Sequence, residues 1–284
     1  MNVSNLNKTQ TDSTIPWQQN VSIPHTWHID MEHLSLNKAY RIFIYKPDIT
    51  PPPEGYPVIY ALDANSVFST FVEAMRVQMQ KPEKTGVHPA IIVGIGYQTE
   101  QPFCPARVYD FTRPLSKEDI PPHPAGKEWP PHGGAEHFLA FIKEIVKPEI
   151  ERNFPVNTEK QALFGHSLGG LFVLQSLFSK PSDFQTYIAG SPSIHWDPQY
   201  FKVEESSFVH KIQQSPRQLQ VLIGVGELEK QHSSGMNRNA EEMYKKLDRM
   251  SQYGLRVQYR EFLEESHVSV LLPLINRAIR LVSL

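Results

Sequence analysis

The feature that most constrains this chain is the run Ala162-Leu163-Phe164-Gly165-His166-Ser167-Leu168-Gly169-Gly170-Leu171, which sets a serine between two glycines where an apolar strand meets an apolar helix. A serine on so tight a turn takes a strained backbone conformation, and the residues two positions either side must be small for strand and helix to pack. Gly165 and Gly169 stand at those positions. Before the turn, residues 161–164 read as a short buried strand. After it, residues 168–178 carry Leu171, Phe172, Leu174, Leu177 and Phe178 at a spacing that suits a helix lying on a sheet. The pattern reads as a nucleophile elbow.

The rest of the chain predicts the sheet that such an elbow needs. Residues 39–45 alternate, with Tyr40, Ile42 and Ile44 on one face, as an early and partly exposed strand does. Residues 57–62 and 90–95 are continuous apolar runs, the mark of strands covered on both faces. Between them Val67, Phe68, Phe71, Val72, Met75 and Met79 recur at helical spacing, giving a β-α-β crossover and so a parallel pair. Further strands are predicted at 187–189, 219–225 and 255–262. Helices are predicted at 135–154 (kinked at Pro148, with Phe138, Phe141, Ile142, Ile145, Val146 and Ile150 as its apolar stripe), 237–251 and 268–284. The fold class is α/β, doubly wound, with an antiparallel edge near the start. Residues 1–20 read as a loose polar arm, residues 21–284 as one domain, and the Pro-rich stretch 114–132 as a surface excursion, either a lid or a connector.

Composition excludes several classes of function. A net charge of −2, with no Lys/Arg stripe, argues against nucleic acid as a partner. No run of eighteen apolar residues argues for a membrane span, and no basic start followed by an apolar stretch suggests a leader. The single cysteine, Cys104, cannot close an internal disulfide; the expectation is a cytoplasmic protein. Neither a phosphate-cradling glycine loop nor a convincing metal-ligand set is present, since His25, His28 and His33, or His132 and His137, lack accompanying cysteines or a carboxylate cluster. No cofactor is expected.

A free serine is a poor nucleophile, so Ser167 needs an imidazole as base and an acid to orient that imidazole. In the chain order serine, acid, histidine, the candidates after Ser167 are His195, His210, His232 and His267. His267 fits best, in a short polar loop between the last strand and the last helix. The acid belongs past the strand at 219–225, where Glu227 and Glu229 both stand; Asp197 is a third candidate, one strand earlier. Two backbone N–H donors must hold the oxyanion. Leu168 supplies one, and the loop Asp63-Ala64-Asn65 after the strand at 57–62 should supply the other. His132-Gly133-Gly134 imitates a lipase oxyanion motif but precedes a helix rather than following the expected strand, and reads as a turn. Arg107, His166, His195 and Trp196 are the candidate substrate-facing residues, Arg107 being placed either to meet an anionic substrate or to brace Asp110.

Taken together, Tyr60-Ala61-Leu62-Asp63, Gly94-Ile95-Gly96-Tyr97, Arg107-Val108-Tyr109-Asp110-Phe111-Thr112, the elbow, Ser191-Pro192-Ser193, Gly226-Glu227-Leu228-Glu229-Lys230 and Ser266-His267 resemble the esterase branch of the α/β-hydrolases. Within it the chain is most similar to the enterochelin-esterase-like proteins that open siderophore trilactones. The resemblance spans nearly the whole chain after residue 20. It implies the α/β-hydrolase fold, Ser167 as nucleophile, His267 as base and Glu229 as acid, although some relatives manage with a serine-histidine pair. Where many relatives carry Asp-Gly before the oxyanion donor this chain has Asp63-Ala64, and Asn65 is taken as the donor. The implied function is hydrolysis of a carboxylic ester or lactone through an acyl-enzyme. The same branch also holds small-ester carboxylesterases and acyltransferases, and a binding module on the same scaffold is the alternative of a different class.

Overall fold

The continuous apolar runs become the interior strands of one eight-stranded sheet in the computed structural model, which describes residues 21–33, 38–123, 126–214 and 218–283. The arm expected at 1–20 lies outside the described residues. The strands are β1 (Thr26–His33), β2 (Lys38–Tyr45), β3 (Tyr56–Leu62), β4 (Ile91–Gly96), β5 (Val156–His166), β6 (Thr186–Gly190), β7 (Leu219–Gly226) and β8 (Leu255–Phe262). The helices are α1 (Ala64–Gln78), α2 (Pro82–Thr85), α3 (Arg107–Phe111), α4 (Ala135–Phe141), α5 (Lys147–Asn153), α6 (Leu168–Ser179), α7 (Tyr200–Val203), α8 (Glu205–Gln214), α9 (Met236–Asp248) and α10 (Leu271–Val282).

Spatial order is β1-β2-β4-β3-β5-β6-β7-β8, with β1 and β2 antiparallel to their neighbours and every later pairing parallel. Alternation along β3 divides the core between the two faces of the sheet. Ile59 and Ala61 pack with Phe71, Val72 and Met75 of α1 and Leu274 and Ile275 of α10. Val58, Tyr60 and Leu62 belong to the opposite cluster, with Phe138 of α4 and Leu171 and Phe172 of α6.

Three expectations are corrected. The helix at 135–154 is two α-helical pieces joined by a π turn, Ile142–Val146, in which Lys147 N–H reaches back to the Ile142 carbonyl. The extra residue turns Ile145 outward, where it is 38% exposed, while Val146 and Ile150 stay in the core. Pro148 falls in the first turn of α5, where its missing N–H does least harm. The expected loop Asp63-Ala64-Asn65 is instead a single capping residue, Asp63, in the left-handed region at φ 54°, with Ala64 and Asn65 opening α1. Strand β1 carries no sequence pattern that predicts it, because it is a sheet edge whose side chains, apart from Met31, are not buried.

The Pro-rich stretch carries no helix or strand among its described residues. It is anchored by Trp129, whose Nε1 donates to the Pro121 carbonyl at 2.7 Å and whose ring meets that of Trp196 edge-on at 4.7 Å.

Candidate active site

The site is assembled at the carboxyl ends of β5, β6, β7 and β8, four strands adjacent in the sheet. At the end of β5, Ser167 has φ 59° and ψ −117°, a conformation that side chains rarely adopt. The turn is held on both sides: Ser167 N–H donates to the Gly190 carbonyl at 2.8 Å, and the Ser167 carbonyl accepts from Leu171 N–H at 3.0 Å and Ser193 N–H at 3.1 Å. Gly165 is required here, because a Cβ would lie 2.3 Å from the Gly169 carbonyl oxygen. At Gly169 a Cβ would find only ordinary contacts, the nearest Asp63 Oδ2 at 3.5 Å. The close approach on the helix side belongs to Gly170, whose Cβ would meet the Gly190 carbonyl oxygen at 2.6 Å, so the steric demand expected of Gly169 falls one residue later.

Ser167 Oγ is 3.1 Å from His267 Nε2, and His267 Nδ1 is 2.7 Å from Glu229 Oε2. Nδ1–H donated to the carboxylate leaves Nε2 free to accept the serine proton. Glu229 is buried, its other oxygen accepting from Ser191 Oγ at 2.6 Å and from Gly226 N–H at 2.7 Å. Burial pushes its pKa up, but the hydrogen bonds from His267, Ser191 and the Gly226 N–H outweigh burial and hold the carboxyl below its ordinary value. The group therefore stands ionised beside the imidazole at neutral pH.

The competing acids are directed elsewhere. Glu227 accepts the Glu264 N–H at 3.1 Å, and Asp197 accepts the Tyr200 N–H at 3.2 Å with Arg113 3.6 Å away. Leu168 and Asn65 each stand in the first turn of a helix, where backbone N–H groups have no intrahelical acceptor. The Asn65 side chain is engaged apart from that, bridging the Tyr97 and Thr99 carbonyls and the Tyr97 N–H.

The substrate-facing expectations for Trp196 and His166 are corrected, and so is the Asp110 partner expected for Arg107. Trp196 is 1% exposed, covered by Trp129. His166 is buried with its ring 4.7 Å from that of His267. Burial, then the nearby His267 and Arg107 charges, lower its pKa to about 3, so it stands neutral beneath the base. Arg107 does not brace Asp110: its Nε and Nη2 donate to the two oxygens of Asp63 at 2.8 and 2.7 Å, with side-chain exposures of 12% and 3%. Asp110 is held by Lys38, Tyr40 and Tyr97. His195 remains beside the site, half-buried, its pKa lowered by burial and by the neighbouring His232 and His267. Sequence reasoning gave no role to Ser191 or Ser193, the latter with Oγ 3.3 Å from Ser167 Oγ. The available signal was a serine pair directly after a parallel strand next to the elbow strand.

An elbow serine, an imidazole and a buried carboxylate on neighbouring strand ends of a mostly parallel sheet define a serine hydrolase of the α/β-hydrolase fold. Residues 34–269 match the family described as "Putative esterase", and the chain belongs to that esterase family. It is 52% identical over 259 residues to the ferri-bacillibactin esterase BesA of Bacillus subtilis (strain 168), covering 91% of this chain and 90% of the relative. It is 35% identical over 250 residues to the siderophore enterobactin esterase of Emericella nidulans, covering 79% and 81%. Among solved structures, the BES protein from Bacillus cereus superposes with a TM-score of 0.88 at 39% identity, over 95% of this chain and 100% of that one. Among the described residues no helix is long and apolar enough to cross a membrane.

Proposed function

We propose that this protein hydrolyses the ester bonds of a siderophore trilactone. The observation that carries the substrate class is the 52% identity to a ferri-bacillibactin esterase along 91% of the chain. In this reading His267 takes the Ser167 proton as Oγ attacks the ester carbonyl, while Glu229 stabilises the imidazolium that forms. The oxyanion is held by the N–H groups of Leu168 and Asn65. His267 then protonates the departing alkoxide, leaving an acyl-enzyme. Water, activated by the same imidazole, attacks the acyl carbon and regenerates the serine. The lone cysteine, which cannot close an internal disulfide, supports a cytoplasmic site of action.

The test is kcat/KM on a catecholate trilactone, with and without iron, beside a short-chain p-nitrophenyl ester. The trilactone is expected to be the better substrate. Preference for the simple ester would remove the siderophore assignment while leaving the esterase chemistry in place.

A further inference from the structure

We infer that Arg107 is a positioning residue that fixes the two halves of the oxyanion hole relative to each other. The inference rests on the serine-esterase reading above. The two donors of that reading, Leu168 N–H and Asn65 N–H, open two different helices, α6 and α1, at the ends of two strands, β5 and β3. Leu168 directly follows Ser167 at φ 59°, and Asn65 stands two residues past Asp63 at φ 54°, both turn residues in the left-handed half of backbone space. Strand pairing aligns β3 with β5 only as far as Ala61 and Phe164, three residues short of the serine on one strand and two short of Asp63 on the other. Beyond that point β3 and β5 are no longer paired with each other: Leu62 pairs with Ile95 of β4 and His166 with Gly190 of β6 before each chain enters its own strained turn, so no direct ladder sets the spacing of the two N–H groups.

The Arg107 side chain spans the gap. The Arg107 fork holds both carboxylate oxygens of Asp63, and its Nη2 also donates to the carbonyl of His166, the residue before the nucleophile, at 3.2 Å. A planar guanidinium bound at two edges fixes distance and angle together, which a lysine ammonium cannot do. The fork is seated in turn, its carbon 5.1 Å from the centre of the Phe111 ring and 5.5 Å from that of Phe103. Its helix α3 is tied down three residues on, where Asp110 binds Lys38 at 2.6 Å and Tyr40 and Tyr97 each at 3.0 Å. A buried ion pair adds little net stability over an apolar replacement, so stability alone does not account for this one. Its placement between the two donors does, because a donor displaced from the developing oxyanion loses most of its effect on the transition state.

The experiment compares Arg107→Lys and Asp63→Asn with wild type on two substrates, a neutral p-nitrophenyl ester and an iron-loaded catecholate trilactone. Inhibition by a trifluoromethyl ketone that mimics the tetrahedral intermediate is measured in parallel. Positioning predicts that kcat falls about 100-fold for Arg107→Lys, the scale of losing one oxyanion donor. The same factor is expected on both substrates, with KM little changed and inhibitor affinity falling in step with kcat/KM. Asp63→Asn, which keeps the shape of the acceptor, should fall less, and the double variant no further than Arg107→Lys alone. A loss confined to KM for the anionic siderophore would make Arg107 a substrate contact instead. A loss of active fraction with unchanged inhibitor affinity would make it merely structural, and either result overturns the proposal. Fluorophosphonate labelling of wild type at Ser167 tests the underlying reading separately: no adduct would sink the serine mechanism and this inference with it, whereas an adduct with unaltered Arg107→Lys kinetics would sink the inference alone.

Discussion

Glu227 and Glu229 stand two residues apart in a 3-10 turn, Glu227–Gln231, where each residue advances about 120° around the axis. Their side chains therefore diverge, one to the Glu264 N–H and the other to His267. Spacing alone left the two glutamates equivalent because a strand that has just ended does not reveal how the following turn will wind. With its second oxygen bound by Ser191 and Gly226, Glu229 is fixed in orientation as well as in charge. Replacing it with glutamine removes the negative charge and offers an amide that can present the wrong group to Nδ1. Glu229→Gln is expected to lower kcat on a p-nitrophenyl ester by about 1000-fold or more, whereas Glu227→Gln should stay within about twofold, since only a surface hydrogen bond is disturbed. Wild-type turnover by Glu229→Gln would remove the acid from the mechanism and leave a serine-histidine pair.

Among the elements, those whose burial repeats at a fixed period are legible in the sequence. The sequence pattern marks β8 to the residue, and β3, β4, β7 and α6 to within one. What escaped had no such period. Strand β1 faces neighbours on one side only, and the connection from β6 to β7 hides α8, a mostly polar helix that buries only Phe208 and Ile212. The π turn between α4 and α5 was invisible because an inserted residue shifts the phase of an otherwise regular apolar stripe. The elbow was legible in outline, yet the two glycines named for it do different work. Gly165→Ala would drive a methyl into the backbone of α6, with an expected destabilisation of about 3 kcal/mol and loss of esterase activity. Gly169→Ala meets only ordinary contacts and gains helix propensity, so its stability should stay within about 1 kcal/mol of wild type. Urea unfolding of the two variants side by side checks this, and equal losses would contradict the asymmetry in the turn.

For the molecule as a whole, the sheet order converts sequence distance into proximity: Ser167 and His267, 100 residues apart, meet because β5, β6, β7 and β8 lie side by side. The same assembly buries His166 at the end of β5 with its Nε2 lacking any hydrogen-bond partner among the described residues, and this has a consequence for global stability. The folded protein keeps that imidazole neutral down to about pH 3, whereas an unfolded chain protonates it near its ordinary value of 6.5. Between those limits the unfolded state binds the extra proton, so stability is full above about pH 6.5 and declines as the pH falls through the window. From pH 7 to pH 5 the decline owed to this one group is about 2 kcal/mol. Glu229, whose carboxyl is held below its ordinary value of 4.5, acts in the same direction at lower pH, and His195, whose pKa is also lowered by burial, acts within this interval, so the share owed to His166 is the difference between wild type and a variant that lacks it. Urea unfolding of wild type and His166→Asn at pH 7 and pH 5 isolates the effect: the wild type should lose about 2 kcal/mol more between the two pH values than the variant does. Parallel losses in the two proteins would mean that the buried imidazole takes up its proton without unfolding, and that the packing beneath His267 is looser than its burial indicates.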